Sequence, residues 1–514
     1  MIYRMMLPCL LMLLTVTDAL SQGTTVTCDV SAECAVGNGS HTPYYLTANR
    51  HAILSTRSNT GYVRAASQLC HDTRSWHIDA VLDVQAAIRP DYSRCYLQQA
   101  YAAATFRQWL TMWAGAREVG PTVRDALLSS GSTVWSGNSR PIPQLCIGTA
   151  GFVTIPGTHG WIETCLDISY GHCLDSDYLQ DRYDDYVTGL TGYGRSYMVK
   201  DVWYHQKKLY LRSDHRRPWV FTVGIEHAVQ FGGTSVNYID ASLNGDFSPS
   251  LKDFFTVLMP RSGDGQSASG DQSFVYGNHI GCLTLMLERQ WGDNGRHRIG
   301  AYVEDLFEDG SGIRKGNGWD GLWGLEYHNA RTDALVRGIV IEYLQTTDQS
   351  GPIHWAPHDF GDQQIAAQMP AAATGADDYY NNYFYTGYTH YGQCCGSPLL
   401  KSPIYNTDHY LRFTDTRVQA WHLGIDGSLW TSSQQTSSQQ SSSHRALSYR
   451  LLFSHRRAFG TYFVPSPAVR RCTSALAELT YLCGPWQCAL AYAFDEGDLF
   501  GHAHALDVRL RRHF

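Results

Sequence analysis

The sequence predicts an all-β protein, a transmembrane antiparallel β-barrel of about 18 strands with long external loops and short periplasmic turns. Three observations carry that prediction. Apolar and polar residues alternate with a period of two through most of the chain, as on the two faces of a strand. After the N-terminal segment, no stretch approaches the ~18 consecutive apolar residues of a spanning helix. The connections between strand candidates also sort by length onto two ends.

Taken from the N-terminus, Arg4, the apolar run Leu7–Val16 and the pair Thr17 and Ala19 form a secretory leader over residues 1–19. Residues 20–42 then read as a short periplasmic segment, and the barrel is expected over residues 43–514. Strands are expected to begin near residues 43, 61, 75, 95, 107, 142, 160, 201, 218, 281, 297, 321, 335, 417, 445, 472, 487 and 504.

The alternation is plain in several of them. Trp76, Ile78, Leu82, Val84 and Ile88 face away from His77, Asp79, Asp83 and Gln85. Trp219, Phe221, Val223 and Ile225 oppose Thr222, Gly224 and Glu226, and Leu283, Leu285 and Leu287 oppose Thr284 and Glu288. A helix would instead repeat its apolar residues at three and four. The final segment sets Leu506, Val508, Leu510 and Phe514 against Asp507, Arg509, Arg511 and His513, a pattern resembling the insertion signal of outer-membrane barrels. Arg512 breaks the apolar face near its end, where a charge costs only ~0–1 kcal/mol.

With the C-terminus periplasmic, that side takes short turns such as Ser213–Pro218 and Cys483–Trp486. The other side takes Glu118–Pro141, His172–Lys200 and the loop insertions 230–280 and 346–416. The Ser/Gln tract 431–443 falls on the periplasmic side and reads as a disordered insertion.

Composition narrows the function classes. Charged residues make up 17%, against the quarter or so usual in soluble domains. A net charge of −7 gives nucleic-acid binding no electrostatic support. Of the 14 cysteines, Cys9 belongs to the leader, so an odd number remains. Their spacing matches no zinc site, and Cys165 and Cys282 read as small residues within strands.

Several motifs stand in order along the chain: PYYLTANR (Pro43–Arg50), SSGSTVWSGNSRPIPQ (Ser129–Gln144), PGTHGW (Pro156–Trp161), LKDFF (Leu251–Phe255), YGNHIG (Tyr276–Gly281) and DDYYNNYFYTGYTHYG with GSPL (Asp377–Leu400). Together they resemble the capsule assembly Wzi family, in the form found in Bacteroidetes-type outer membranes. The resemblance runs from about Pro43 to the C-terminus. It implies an outer-membrane barrel that helps capsular polysaccharide attach to the cell surface as a lectin-like binder, without catalysis and without a cofactor. Residues 22–41 are too short for the periplasmic helical bundle of some members.

The aromatic-rich external segment is the candidate glycan-binding site: Trp355, Asp377, Asp378, Tyr379, Tyr380, Asn381, Asn382, Tyr383 and Tyr385, with Tyr388 and Tyr391 beside them. Sugar rings stack on aromatic faces, while carboxylates and amides meet their hydroxyls. The same residues would equally suit an aromatic girdle or a loop packed on itself in the barrel mouth. No catalytic residues and no metal site are expected. His502 and His504 lack an evident third ligand, Gly157–Trp161 reads as a turn, and the many strand carboxylates suit a polar lumen paired with arginines. Expected partners are surface polysaccharide, outer-membrane lipid and the barrel-insertion machinery. The alternative function is a porin-like diffusion channel or transporter.

Overall fold

The computed structural model describes residues 23–187, 197–237, 244–258, 276–308, 310–349, 377–382, 384–434 and 443–514. The expected leader, Trp355 and Tyr383 lie outside the described residues.

The wall opens with β1 (Thr24–Gly39), β2 (Thr60–Asp72), β3 (Trp76–Ile88), β4 (Cys95–Phe106), β5 (Leu110–Ala116) and β6 (Gln144–Thr149). It continues with β7 (Ile162–His172), β8 (Trp203–Ser213), β9 (Trp219–Phe231), β10 (Asn278–Trp291), β11 (His297–Phe307) and β12 (Gly321–Asn329). It ends with β13 (Gly338–Gln345), β14 (Val418–Gln434), β15 (Ser443–Gly460), β16 (Pro465–Cys483), β17 (Trp486–Gly497) and β18 (Ala503–His513). Val153–Thr154 prolongs β6 along β7. Each strand pairs antiparallel with the next, and β1 pairs with β18, so the barrel closes and no edge is left.

The first strand corrects the expected domain boundary. Residues 20–42 were assigned to the periplasm, but Thr24–Gly39 forms β1 and joins the barrel ends through pairs such as Glu33↔Arg509 and Val36↔Leu506. Its outward residues include Ala32, Cys34 and Val36, small side chains that carry little hydropathy signal. The strand expected near residue 43 is instead a short helix, α1 (Tyr44–Thr47), with all four residues buried. The two errors cancel in the strand count.

Elsewhere the alternation maps directly onto lipid-facing and lumen-facing surfaces. On β3, Leu82 and Ile88 are 51% and 62% exposed on the outside, whereas Asp83 and Gln85 are fully covered inside. Trp76, Trp109, Trp161, Trp219, Trp291 and Trp486 lie exposed at the turn end, an aromatic belt of the kind that marks a membrane–water interface. Arg512 joins that belt, its guanidinium 5.0 Å from the Trp486 ring and 4.4 Å from Phe514.

Short connections (residues 107–109, 155–161, 214–218, 292–296, 484–485) gather at the belt end. The long ones (40–59, 117–143, 173–202, 232–277, 346–417) all leave the opposite, external end. The Ser/Gln tract needs a second correction. Residues 431–434 and 443 extend β14 and β15, pairing Ser432↔Arg445 and Gln434↔Ser443, because a hairpin satisfies its backbone whatever its hydropathy. Residues 435–442 lie outside the described residues.

Inside the wall, two glycines make room for tyrosines. Tyr210 and Tyr302 each cross onto the facing glycine, Gly224 and Gly324, whose Cβ would collide with the ring. Their hydroxyls reach Glu226 (2.7 Å) and Glu342 (2.6 Å). Replacing the outward Leu285 by arginine is expected to destabilise the barrel in lipid by about 2–4 kcal/mol. Equilibrium unfolding from vesicles measures it, and an unchanged midpoint would contradict a lipid-facing wall.

Candidate functional site

Wall carboxylates organise the external half of the lumen. β11 and β13 turn Glu304 and Glu342 inward, where both are almost fully covered. Glu304 Oε2 accepts from the Thr133 backbone N–H (2.8 Å) and hydroxyl (2.9 Å), and Glu342 Oε2 accepts from the Ser130 N–H (2.6 Å). Arg124 completes the cluster, with Nη2 3.0 Å from Glu304 Oε1 and its guanidinium 3.7 Å from the Tyr302 ring centre. The connection after β5 is thus drawn down into the barrel. An irregular backbone is tolerated at this depth only when the protein supplies its partners.

The connection after β1 folds inward in the same way. Arg50 donates to Glu33 Oε2 (2.6 Å), which also accepts from the Tyr62 hydroxyl (2.7 Å). Asp495 Oδ2 takes the Tyr44 N–H (2.8 Å) and lies 3.0 Å from His41 Nε2. The fully buried Arg456 lies 4.0 Å from the Tyr44 ring and 4.4 Å from Phe500. Tyr45 Oη meets His422 Nδ1 at 2.8 Å, and Gln98 donates to the His51 carbonyl (2.9 Å).

The third inward segment, residues 377–417, contains the described residues of the expected glycan site and packs onto the other two. Tyr380 donates to the Thr133 carbonyl (2.5 Å), Tyr388 to Val134 (2.9 Å), and Asn138 to Cys394 (3.0 Å). The first two segments meet where the His51 N–H donates to the Gly137 carbonyl (2.8 Å). Gly137 has φ +76°, and a Cβ there would lie 2.6 Å from the His51 ring, so only glycine fits.

This arrangement corrects the expected stacking surface. Tyr379, Tyr380, Tyr385 and Tyr388 are at most 1% exposed, so these rings present no face to a sugar. Asp378 accepts from Asn381 (3.0 Å) and from the Thr416 hydroxyl. Asn381 also exchanges two hydrogen bonds with Phe413, and Asn382 Oδ1 accepts from the Phe384 N–H (2.8 Å). Asp377 is half-buried beside them. Burial pushes the Asp378 carboxyl up to about 6, against the pull of its Thr416 and Asn381 hydrogen bonds and of Arg417. The segment packs on itself in the mouth because buried rings and paired amides stabilise it more than solvated ones would.

A different cluster remains accessible at the external end. Arg140 lies 5.3 Å from the Tyr92 ring, 4.4 Å from Tyr96 and 4.9 Å from Tyr391, with Tyr92 and Tyr391 centred 4.6 Å apart. All four are half-buried. The sequence reading singled out only Tyr391 of these, because residues from three separate segments converge there.

The remaining motifs take structural places. His502 and His504 both meet Glu496, His504 Nε2 at 3.0 Å. Residues 157–160 form a periplasmic turn, with Gly157 and Gly160 both at φ +84°. Cys165 and Cys282 are buried, and all the described cysteines are free thiols.

No protein-family model matches the chain, and a search of curated proteins found no match either. Among solved structures it is similar in fold to Wzi of Escherichia coli, an outer membrane protein involved in group 1 capsule assembly and described as a carbohydrate-binding β-barrel. The identity is 12%, over 94% of this chain and 83% of that one, with a TM-score of 0.51. OccK5 (OpdH) of Pseudomonas aeruginosa matches at 8% identity over 96% of this chain and 98% of that one, with a TM-score of 0.44. At these identities the likeness is one of fold.

Replacing Glu304 by alanine leaves Arg124 buried without its counter-charge and is expected to cost about 3–5 kcal/mol. Faster hydrogen exchange at residues 130–134 measures it. The raised Asp378 carboxyl contributes stability below its unfolded value near 4, and this is lost as pH rises through about 6. Protease attack on residues 377–417 is therefore expected to be slower at pH 4.5 than at pH 7.5 with a protease equally active at both.

Proposed function

We propose that this protein is an outer-membrane barrel, exported by an N-terminal leader, that binds surface or capsular polysaccharide at its external end and assists its assembly or attachment. The observation carrying this reading is the cluster of Tyr92, Tyr96 and Tyr391 around Arg140, on a barrel whose external mouth is filled by its own loops. Aromatic faces suit the apolar faces of sugar rings, and a guanidinium suits their hydroxyls and carboxylates. The likeness in fold to a carbohydrate-binding barrel involved in capsule assembly supports the same reading.

The role is one of binding rather than catalysis. Glu163, Glu226, Glu304, Glu342 and Asp495 are each engaged by an arginine, a tyrosine or backbone N–H groups. These engagements support a binding role over the paired acid and base of a glycosidase. The diffusion-channel alternative has one observation in its favour, the open cavities in the periplasmic half of the lumen. The three packed segments above them weigh against a continuous path.

Purified barrel is expected to bind acidic or neutral surface glycans on an array, and Tyr92→Ala and Tyr391→Ala are each expected to weaken that binding about tenfold. In planar bilayers it is expected to stay silent. Steady large currents together with an empty array would replace the scaffold by a channel.

A further inference from the structure

Below the inward-folded segments, the periplasmic half of the lumen holds two adjoining cavities of about 450 Å³ and 360 Å³, within the range that accommodates small ligands. Arg50, Arg509 and Gln487 line both, so the two form one vestibule around the underside of the first segment. Its wall residues come from the periplasmic halves of their strands: Asp29 on β1, Glu478 on β16 and Arg511 on β18.

The charge of the lining is lopsided. Each cavity is lined by four arginines against two carboxylates. A third cavity on the opposite side has Arg117 and Lys208 against Glu118, Asp167 and Glu226, so the arginine-rich lining is local to the vestibule, with Asp83 and Asp507 balancing Arg64, Arg50 and Arg509 from behind it. Glu33 behind the arginines and Glu478 in the lining take part of their hydrogen-bonding capacity. Arg50 donates to Glu33 (2.6 Å), while Arg450 (3.2 Å) and Arg509 (3.1 Å) share one oxygen of Glu478. Arg50 also donates to the Leu46 carbonyl (2.8 Å) and Arg450 to that of Leu127 (3.5 Å), yet three guanidinium groups still carry more N–H donors than these partners accept. Guanidinium groups that converge on the wall of a half-enclosed space favour a planar anion that can take their N–H donors in pairs.

The rest of the lining suits a polyhydroxylated ring rather than a bare ion. The half-buried Tyr449 supplies aromatic surface, and Asn49 and Gln487 supply amides.

We propose that this vestibule is a second saccharide site, entered from the periplasm, that takes an acidic sugar by docking its carboxylate or phosphate on Arg450 and Arg509. It lies at the opposite end of the barrel from the Arg140 cluster and does not depend on that surface.

Isothermal titration of the refolded full-length barrel in detergent tests it, with trigalacturonate, glucose 6-phosphate and neutral maltotriose as probes. At least one acidic probe is expected to bind about tenfold or more tightly than maltotriose, with affinity that falls as salt rises. The tighter of the two identifies the anionic group. Arg450→Gln and Arg509→Gln are each expected to weaken it about tenfold. Arg511→Gln, at the solvated rim and remote from the inward segments, is expected to weaken it by a smaller factor. Tyr92→Ala and Tyr391→Ala are expected to leave it unchanged, which separates this site from the external one. Equal binding of maltotriose, no binding of either acidic probe, or full affinity in all three arginine variants would overturn the proposal.

Discussion

The structure depends on one reciprocal satisfaction: carboxylates on the inner wall accept hydrogen bonds from backbone that has left the wall and folded into the lumen. Glu304 and Glu342 take the N–H groups of Thr133 and Ser130, and Asp495 takes that of Tyr44. Neither side is stable alone. A carboxylate facing an apolar lumen would be desolvated without compensation, and an irregular segment at that depth would carry unpaired amides. Together they convert a wide barrel into a filled one, and arginines such as Arg124 and Arg456 close the charge balance.

That filling is uneven along the barrel axis. The external half holds an aromatic core built from three connections, with Tyr44, Trp135, Tyr380, Tyr388 and Phe413 packed into one cluster. The periplasmic half stays hollow and polar. A barrel packed with loops in its external half and holding cavities in its periplasmic half presents two chemically different surfaces. The outer surface is a rim of tyrosines around Arg140, and the inner one is an arginine-lined vestibule. The outer wall meanwhile answers only to lipid, with apolar residues at every second position and tryptophans at the turn end.

Much of this architecture was legible in the chain. The period-two pattern located nearly every strand, and the lengths of the connections separated the two ends. The motifs that carried the family resemblance prove to be largely the inward segments: PYYLTANR forms α1 and its approach, SSGSTVWSGNSR is the loop held by Glu304 and Glu342, and the Tyr-rich segment covers both. Positions such as Gly137, where a Cβ would strike His51, admit little substitution. The same segments misled the site prediction. A tyrosine that stacks on a sugar and a tyrosine buried beneath a loop read alike in one dimension, so Tyr379, Tyr380 and Tyr385 looked like a binding surface. β1 escaped notice because Ala32 and Cys34 carry little of the hydropathy that marked the other strands.

By itself, then, the sequence determined the closed antiparallel wall, the face each strand turns to lipid and the end from which the long loops leave. These follow from alternation and spacing, which are local properties of the chain. Only the tertiary structure decided that three loops turn inward, that Arg140 meets rings from residues 92, 96 and 391, and that Arg50, Arg450 and Arg509 converge on two shared carboxylates. Those groups come from segments tens to hundreds of residues apart. Their meeting is set by barrel closure and by which buried donors find acceptors, and no local pattern encodes either.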